Sequence, residues 1–134
     1  MKRDFLLDTD TLIYWLKGDK HVEAKAMTMG LENLSYSIIT QAELYFGAYN
    51  SSYLERNLAN IQRLMNTLKI LPFDEAAANR FGQLKADLKR QGKILLDADL
   101  MIAAIALTNQ LVLVTNNVKH FERIPELVIE NWVA

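Results

Sequence analysis

Cysteine is absent from this 134-residue chain, which excludes disulfides, thiolate metal sites and cysteine nucleophiles. There is no Walker loop and no dinucleotide glycine fingerprint, so nucleotide-cofactor chemistry drops out. The two histidines, His21 and His120, sit in short polar contexts with no H-E-x-x-H spacing and no neighbouring Ser or acid to form a triad. Both read as surface residues. Long apolar runs are also missing: the longest, residues 100–107, is far short of a bilayer span. Only three apolar residues separate Asp4 from Asp8, too few for a signal-peptide core. A cytoplasmic protein with no membrane contact is the expectation. Charge of one sign is lacking too, with 15 Lys and Arg against 16 Asp and Glu and a net charge of −1. A nucleic-acid substrate would therefore need a local basic patch and bound cations to offset the carboxylates.

What is present is ordinary for one globular domain, expected over residues 1–134: 51% hydrophobic and 23% charged residues, with no repeat, linker or low-complexity tract. Residues 5–7 form a continuous apolar run of the kind found in a parallel strand covered on both faces. The run leads into a helix from about Thr11. Residues 34–39 alternate and predict a second strand, with a helix opening at Thr40. Leu54, Leu58, Ile61, Leu64, Met65 and Leu68 fall at helical spacing. Short strands are predicted at 69–73, 111–115 and 127–129. Asp74 reads as the N-cap of a long helix stopped by Gly92. Residues 97–107 are apolar around the whole circumference after two acids, as in a helix buried from several sides. Strands separated by helices indicate an α/β fold with a central, mostly parallel sheet of about five short strands.

Four acids fall at predicted element ends: Asp8, Glu43, Asp97 and Asp99. Ligands of open parallel sheets bind at the carboxyl edge, where Asp8 lies. Two or three carboxylates converging there suit a hard divalent cation that keeps several waters, as magnesium does. Such a cation can activate water and stabilise charge on a phosphodiester. Each acid also has a purely structural reading. Asp8 or Asp10 could cap the first helix, Thr40-x-x-Glu43 matches a capping box, and Asp97 is a candidate N-cap. Asp97 and Asp99 would repel each other unless solvated or bound to a cation. Basic residues cluster at Lys85, Lys89, Arg90 and Lys93, and again at Lys119, His120 and Arg123. Lys85 reads as a solvated helix face, whereas Arg90 and Lys93 flank a glycine turn and are the candidates for phosphate contacts.

The pattern as a whole resembles the PIN-domain nucleases. The resemblance rests on Leu7-Asp8-Thr9-Asp10 with Leu12-Ile13, and on Ser37-Ile38-Ile39-Thr40-Gln41-Ala42-Glu43-Leu44 with Gly47. It continues through Asp99-Leu100-Met101-Ile102-Ala103-Ala104-Ile105-Ala106-Leu107, Val114-Thr115-Asn116-Asn117, and Phe121, Arg123, Ile124 with Glu130-Asn131-Trp132. It covers nearly the whole chain in order and is most similar to the VapC toxins of toxin–antitoxin pairs. The resemblance implies a three-layer α/β/α fold and a magnesium- or manganese-dependent endoribonuclease that cuts structured RNA, often tRNA, by metal-activated water. It assigns Asp8 and Asp99 as principal metal ligands and Glu43 as the third acid. It also implies a VapB-like antitoxin inserting a C-terminal segment into the acidic groove, and a homodimer. Separately, Tyr45, Tyr49 and Tyr53 are candidates for the dimer surface because aromatic residues are enriched at interfaces, with packing within the helices as the equal alternative. The chain departs from the family at Asp10, where Asn is common, and at Asn117, where many members carry a fourth acid. One metal with water ligands is therefore expected, with Asp10, Asp97, Thr115 and Asn117 in supporting positions.

Two enzyme-like readings compete, along with one non-enzymatic reading. Asp8-Thr9-Asp10 imitates the D-x-D of haloacid-dehalogenase-like phosphatases, but Leu12 stands where Thr or Val is expected and no later Lys motif follows. A receiver domain would need Asp74 as its phosphorylatable residue. A binding module whose acids are only caps would bind no manganese.

Overall fold

The computed structural model describes residues 3–133. In chain order the elements are β1 (Phe5–Leu7), α1 (Thr9–Leu16), α2 (Lys20–Met29), a 3₁₀ turn (Leu31–Asn33), β2 (Leu34–Ser37), α3 (Ile38–Tyr49), α4 (Leu54–Thr67), β3 (Lys69–Leu71), α5 (Glu75–Arg90), α6 (Asp97–Thr108), β4 (Val112–Val114), α7 (Val118–Phe121) and β5 (Ile129–Glu130). All pairings are parallel, and the five strands lie in the order β3-β2-β1-β4-β5.

Strand periodicity divides the core. Side chains alternate between the two faces of a strand. Phe5 and Leu7, Leu34 and Tyr36, and Val112 and Val114 all enter one apolar cluster, with Leu12, Val22, Leu44 and Ile61 from the helices of that side. Leu6 and Leu113 point the other way, into a second cluster with Leu84, Leu88, Leu100, Ile105 and Phe121. The result is three layers, with α1 to α4 on one face of the sheet and α5 to α7 on the other. Trp132 closes the first cluster, its ring edge-on to Phe5 at 5.3 Å and its indole N–H donating to Glu130.

Strand order reverses direction at β1, with β2 on one side and β4 on the other. This is the switch point at which open α/β sheets form their ligand crevice, at the carboxyl ends of the strands. Asp8 follows β1 directly, and Thr115 follows β4.

Several expected boundaries shift for physical reasons. β2 stops at Ser37 rather than at residue 39, because the Ser37 hydroxyl accepts from the Thr40 amide at 3.0 Å and starts α3 early. The cap overrides the β preference of Ile38 and Ile39. α1 starts at Thr9 because Asp8 caps it. Asp97 is not a cap: Leu96 holds that position and makes no side-chain cap bond. Asp74 does cap α5, accepting from the Ala77 amide at 2.9 Å, which occupies the side chain a receiver domain would phosphorylate. Gly92 (φ +71°) makes the left-handed turn beyond α5, a conformation that favours glycine. No helix among the described residues is long and apolar enough to cross a membrane.

Candidate active site

Asp8 lies at the switch point, buried at the end of β1. Its backbone N–H extends the sheet by donating to Val114 O at 2.8 Å. One carboxylate oxygen accepts from the Thr9 amide at 2.9 Å, and the other accepts from the Thr115 hydroxyl at 2.8 Å. Thr115 is itself fully buried and accepts from the Asn117 amide at 2.9 Å. The Thr115 side chain therefore ties the ends of β1 and β4 together through the carboxylate. Asp10, in the first turn of α1, accepts from the Asn116 amide at 3.1 Å and faces the Thr11 hydroxyl at 3.2 Å.

Glu43 arrives from α3, and its placement follows from proton counting. It accepts from the Thr9 hydroxyl at 2.5 Å. A carboxylate only accepts and a hydroxyl has one proton. The 3.0 Å contact between Thr9 and Thr40 is therefore donated by Thr40, whose oxygen in turn faces Ser37 Oγ at 3.3 Å. Three hydroxyls point in series at Glu43. The expected Thr40-x-x-Glu43 capping box does not form, because the cap is Ser37 and Glu43 turns to Thr9 instead.

Asp99 is the third residue of α6, with its side chain only 17% exposed. His120 Nδ1 stands 3.9 Å from its carboxylate and 2.7 Å from the Asn117 side-chain nitrogen. The reading of His120 as a residue with no acid nearby is therefore corrected: Asp99 faces it across the crevice from a different element.

The acids press on one another. Burial pushes the Asp8 carboxyl up to about 7, with the Asp10 charge reinforcing it, the Thr115 and Thr9 hydrogen bonds opposing, and Asp99 adding to the rise. Asp10 is raised, chiefly by burial. Burial also raises Asp99, followed by repulsion from Glu43, with His120 opposing and Asp10 adding. Asp8, Asp10, Glu43 and Asp99 thus form one electrostatic group at the sheet edge.

The pattern that defines the PIN domain family matches residues 5–127. The chain belongs to the PIN domain family. It is 40% identical to Ribonuclease VapC2 of Haemophilus influenzae over 129 residues, which is 96% of this chain and 98% of that protein. It is 39% identical to the tRNA(fMet)-specific endonuclease VapC of Salmonella typhimurium over 128 residues, 96% and 97% of the two chains. Among solved structures, DNA-bound VapBC from Salmonella typhimurium superposes with a TM-score of 0.92 at 39% identity, covering 98% and 99% of the two chains. VapBC2 from Rickettsia felis bound to a promoter DNA fragment gives 0.90 at 32% identity, covering 96% and 98%.

Within this PIN domain the donor set is all oxygen, which suits a hard cation such as magnesium or manganese and no soft one. Among the described residues no three His, Asp or Glu groups already converge on one coordination point. A closed cage is therefore not built. A cation held by one or two carboxylates and completed by water is compatible with this arrangement. The raised Asp8, Asp10 and Asp99 make the chemical case, since a nearby positive charge would offset the burial that favours their protonated forms, and at Asp8 and Asp99 the carboxylate repulsion that adds to it. Asp8 and Asp99 are the residues that could hold it.

Other expected site residues lie elsewhere. Asp97 is exposed and pairs with Lys85 at 2.9 Å, outside the carboxylate group. Arg90 pairs with Asp87 at 2.7 Å on the outer surface of α5 and is not brought to the acids. Lys93 borders a groove between the end of α5 and Leu100. Among the dimer candidates, Tyr49 and Tyr53 are exposed, but Tyr45 is half-buried against Met65. Reading the residues one at a time passed over Thr9 and Asn116. Their signal was their position beside acids at strand ends, visible only once the strands are ordered.

Proposed function

We propose that this chain is a metal-dependent endoribonuclease toxin of a VapBC-type pair, cutting structured RNA, with tRNA as the substrate class. The observation that carries the reading is the close group of buried Asp8 with half-buried Asp10 and Asp99 at the switch point, with Glu43 tethered beside it. Asp8 and Asp99 would hold a magnesium or manganese ion. When bound, that ion supplies Lewis acidity, lowering the pKa of water and stabilising charge on the phosphate. Glu43, fixed by Thr9, orients the attacking water. Thr115 locks the Asp8 rotamer, Asp10 adds negative charge, and Asn117 positions His120. Support comes from relatives named as ribonucleases and as tRNA(fMet)-specific endonucleases.

A VapB-like antitoxin is the partner we propose. A groove of about 320 Å³ runs between α1, α3 and α4, lined by Ile13, Leu16, Leu44 and Ile61, with Glu43 at its edge. An amphipathic antitoxin segment could fill it and reach the acids with a cationic side chain. Solved relatives are VapBC complexes, which supports this reading. Homodimerisation through the exposed Tyr49 and Tyr53 region and action in the cytoplasm complete the proposal.

The test is cleavage of a total tRNA pool by purified, antitoxin-free protein with magnesium or manganese. Discrete fragments that vanish with chelator and with Asp99→Asn are expected. Fragments that persist in chelator, or an Asp99→Asn variant as active as wild type, would overturn the reading.

A further inference from the structure

The loop between α5 and α6 carries two of the most exposed aliphatic residues in the chain, Ile94 at 82% and Leu96 at 71% exposure. Solvated aliphatic side chains this prominent, side by side, call for a partner. Three observations indicate which. First, Leu96 is the N-cap residue of α6, three positions before Asp99, so the ridge opens the helix that carries Asp99 to the carboxylate group. Second, Arg123 donates to Ile94 O at 2.7 Å, tying the loop to the segment that carries His120, which faces Asp99. Third, the surroundings are cationic. Behind the ridge lies a groove of about 360 Å³ bordered by Lys85, Lys89 and Lys93. Lys85 is paired with Asp97, whereas among the described residues no carboxylate lies within salt-bridge distance of Lys89, Lys93 or Arg123.

We propose that the Ile94–Leu96 ridge, with Lys89, Lys93 and Arg123 around it, is the surface on which the RNA strand next to the scissile phosphate docks. The inference rests on the ribonuclease reading and names the element that selects the substrate. Cations hold phosphates without reading sequence. Apolar wedges of Leu and Ile are side chains that part neighbouring bases, and specific RNA recognition favours bases already unstacked in loops. The ridge thus favours a flexible single-stranded loop over a paired stem. Charge argues against a second copy of this chain as the occupant, because a two-fold axis through the loop would set its cations against their own duplicates.

The experiment uses the full chain carrying Asp99→Asn, which the ribonuclease reading expects to leave RNA intact, and measures binding to a labelled tRNA pool by anisotropy at several salt concentrations. Adding Ile94→Ser and Leu96→Ser together is expected to raise Kd at least fivefold with an unchanged melting temperature, since both side chains are already in water. Adding Lys89→Gln and Lys93→Gln is expected to flatten the dependence of log Kd on log salt, by about 0.7 per lost phosphate contact on single strands. An unchanged Kd in the serine variant would overturn the proposal. So would a weakened Kd that tracks a dimer-to-monomer shift in sedimentation, which would assign the ridge to self-association. If the wild-type chain cuts no RNA with magnesium or manganese, the ribonuclease reading itself fails, an outcome separate from normal cleavage with an indifferent ridge.

Discussion

At the residue scale, Asp8 shows that capping and site building are compatible roles for one carboxylate. One oxygen caps α1 through the Thr9 amide while the other is held by Thr115. The capping alternative was thus real but incomplete, and only the approach of β4 reveals the second role. Removing the Thr115 hydroxyl leaves Asp8 Oδ2 and the Asn117 amide without a partner in a buried place. Thr115→Val should therefore destabilise the fold by about 1–3 kcal/mol, measured by urea unfolding. A stability within error of wild type would show that water replaces the hydroxyl. Thr9→Val removes the donor to Glu43 but not the carboxylate. Cleavage should slow through kcat with little change in KM, as for a side chain that positions Glu43. A selective rise in KM would place Thr9 in substrate binding instead.

At the scale of elements, the order of strands and helices was legible because each type carries its own period. The all-apolar triplet of β1 and the long apolar run of α6 after its two acids mark these elements most plainly. Boundaries were less legible, because caps decide them. Ser37 starts α3 two residues before β propensity ends, and the Glu43 side chain is thereby released from the expected capping box and meets Thr9. Ser37→Ala should cost about 1 kcal/mol, the usual value of an N-cap. Because α3 carries Glu43, that variant should also lose activity beyond its loss of stability. The acids themselves were visible as residues at strand ends. Which ones converge was not, since Asp97 and Asp99 are two positions apart on α6 yet one pairs with Lys85 outside the group and the other faces the crevice. His120 was missed for the same reason: its acid lies on another element.

At the scale of the whole molecule, the carboxylate group ties stability to pH and to cations. Asp8 holds its proton up to about pH 7 in the folded chain, against an ordinary value of 3.8. Between those values the folded state binds more protons than the unfolded state, so metal-free stability falls as pH rises through this window. For this nearly fully buried group the loss is roughly 4 kcal/mol by pH 8, and the raised Asp10 and Asp99 act in the same direction. Chelated protein should accordingly gain stability on acidification from pH 8 to pH 5, and Asp99→Asn should gain less. Identical pH profiles for the two proteins would separate Asp99 from the group. The central claim is that these carboxylates form a cation site, and manganese binding at pH 8 without RNA tests it most directly. We expect calorimetry to show saturable binding of one ion per chain to the wild type, with affinity at least tenfold weaker in Asp99→Asn. Absence of binding, or equal affinity in the two proteins, would contradict the account.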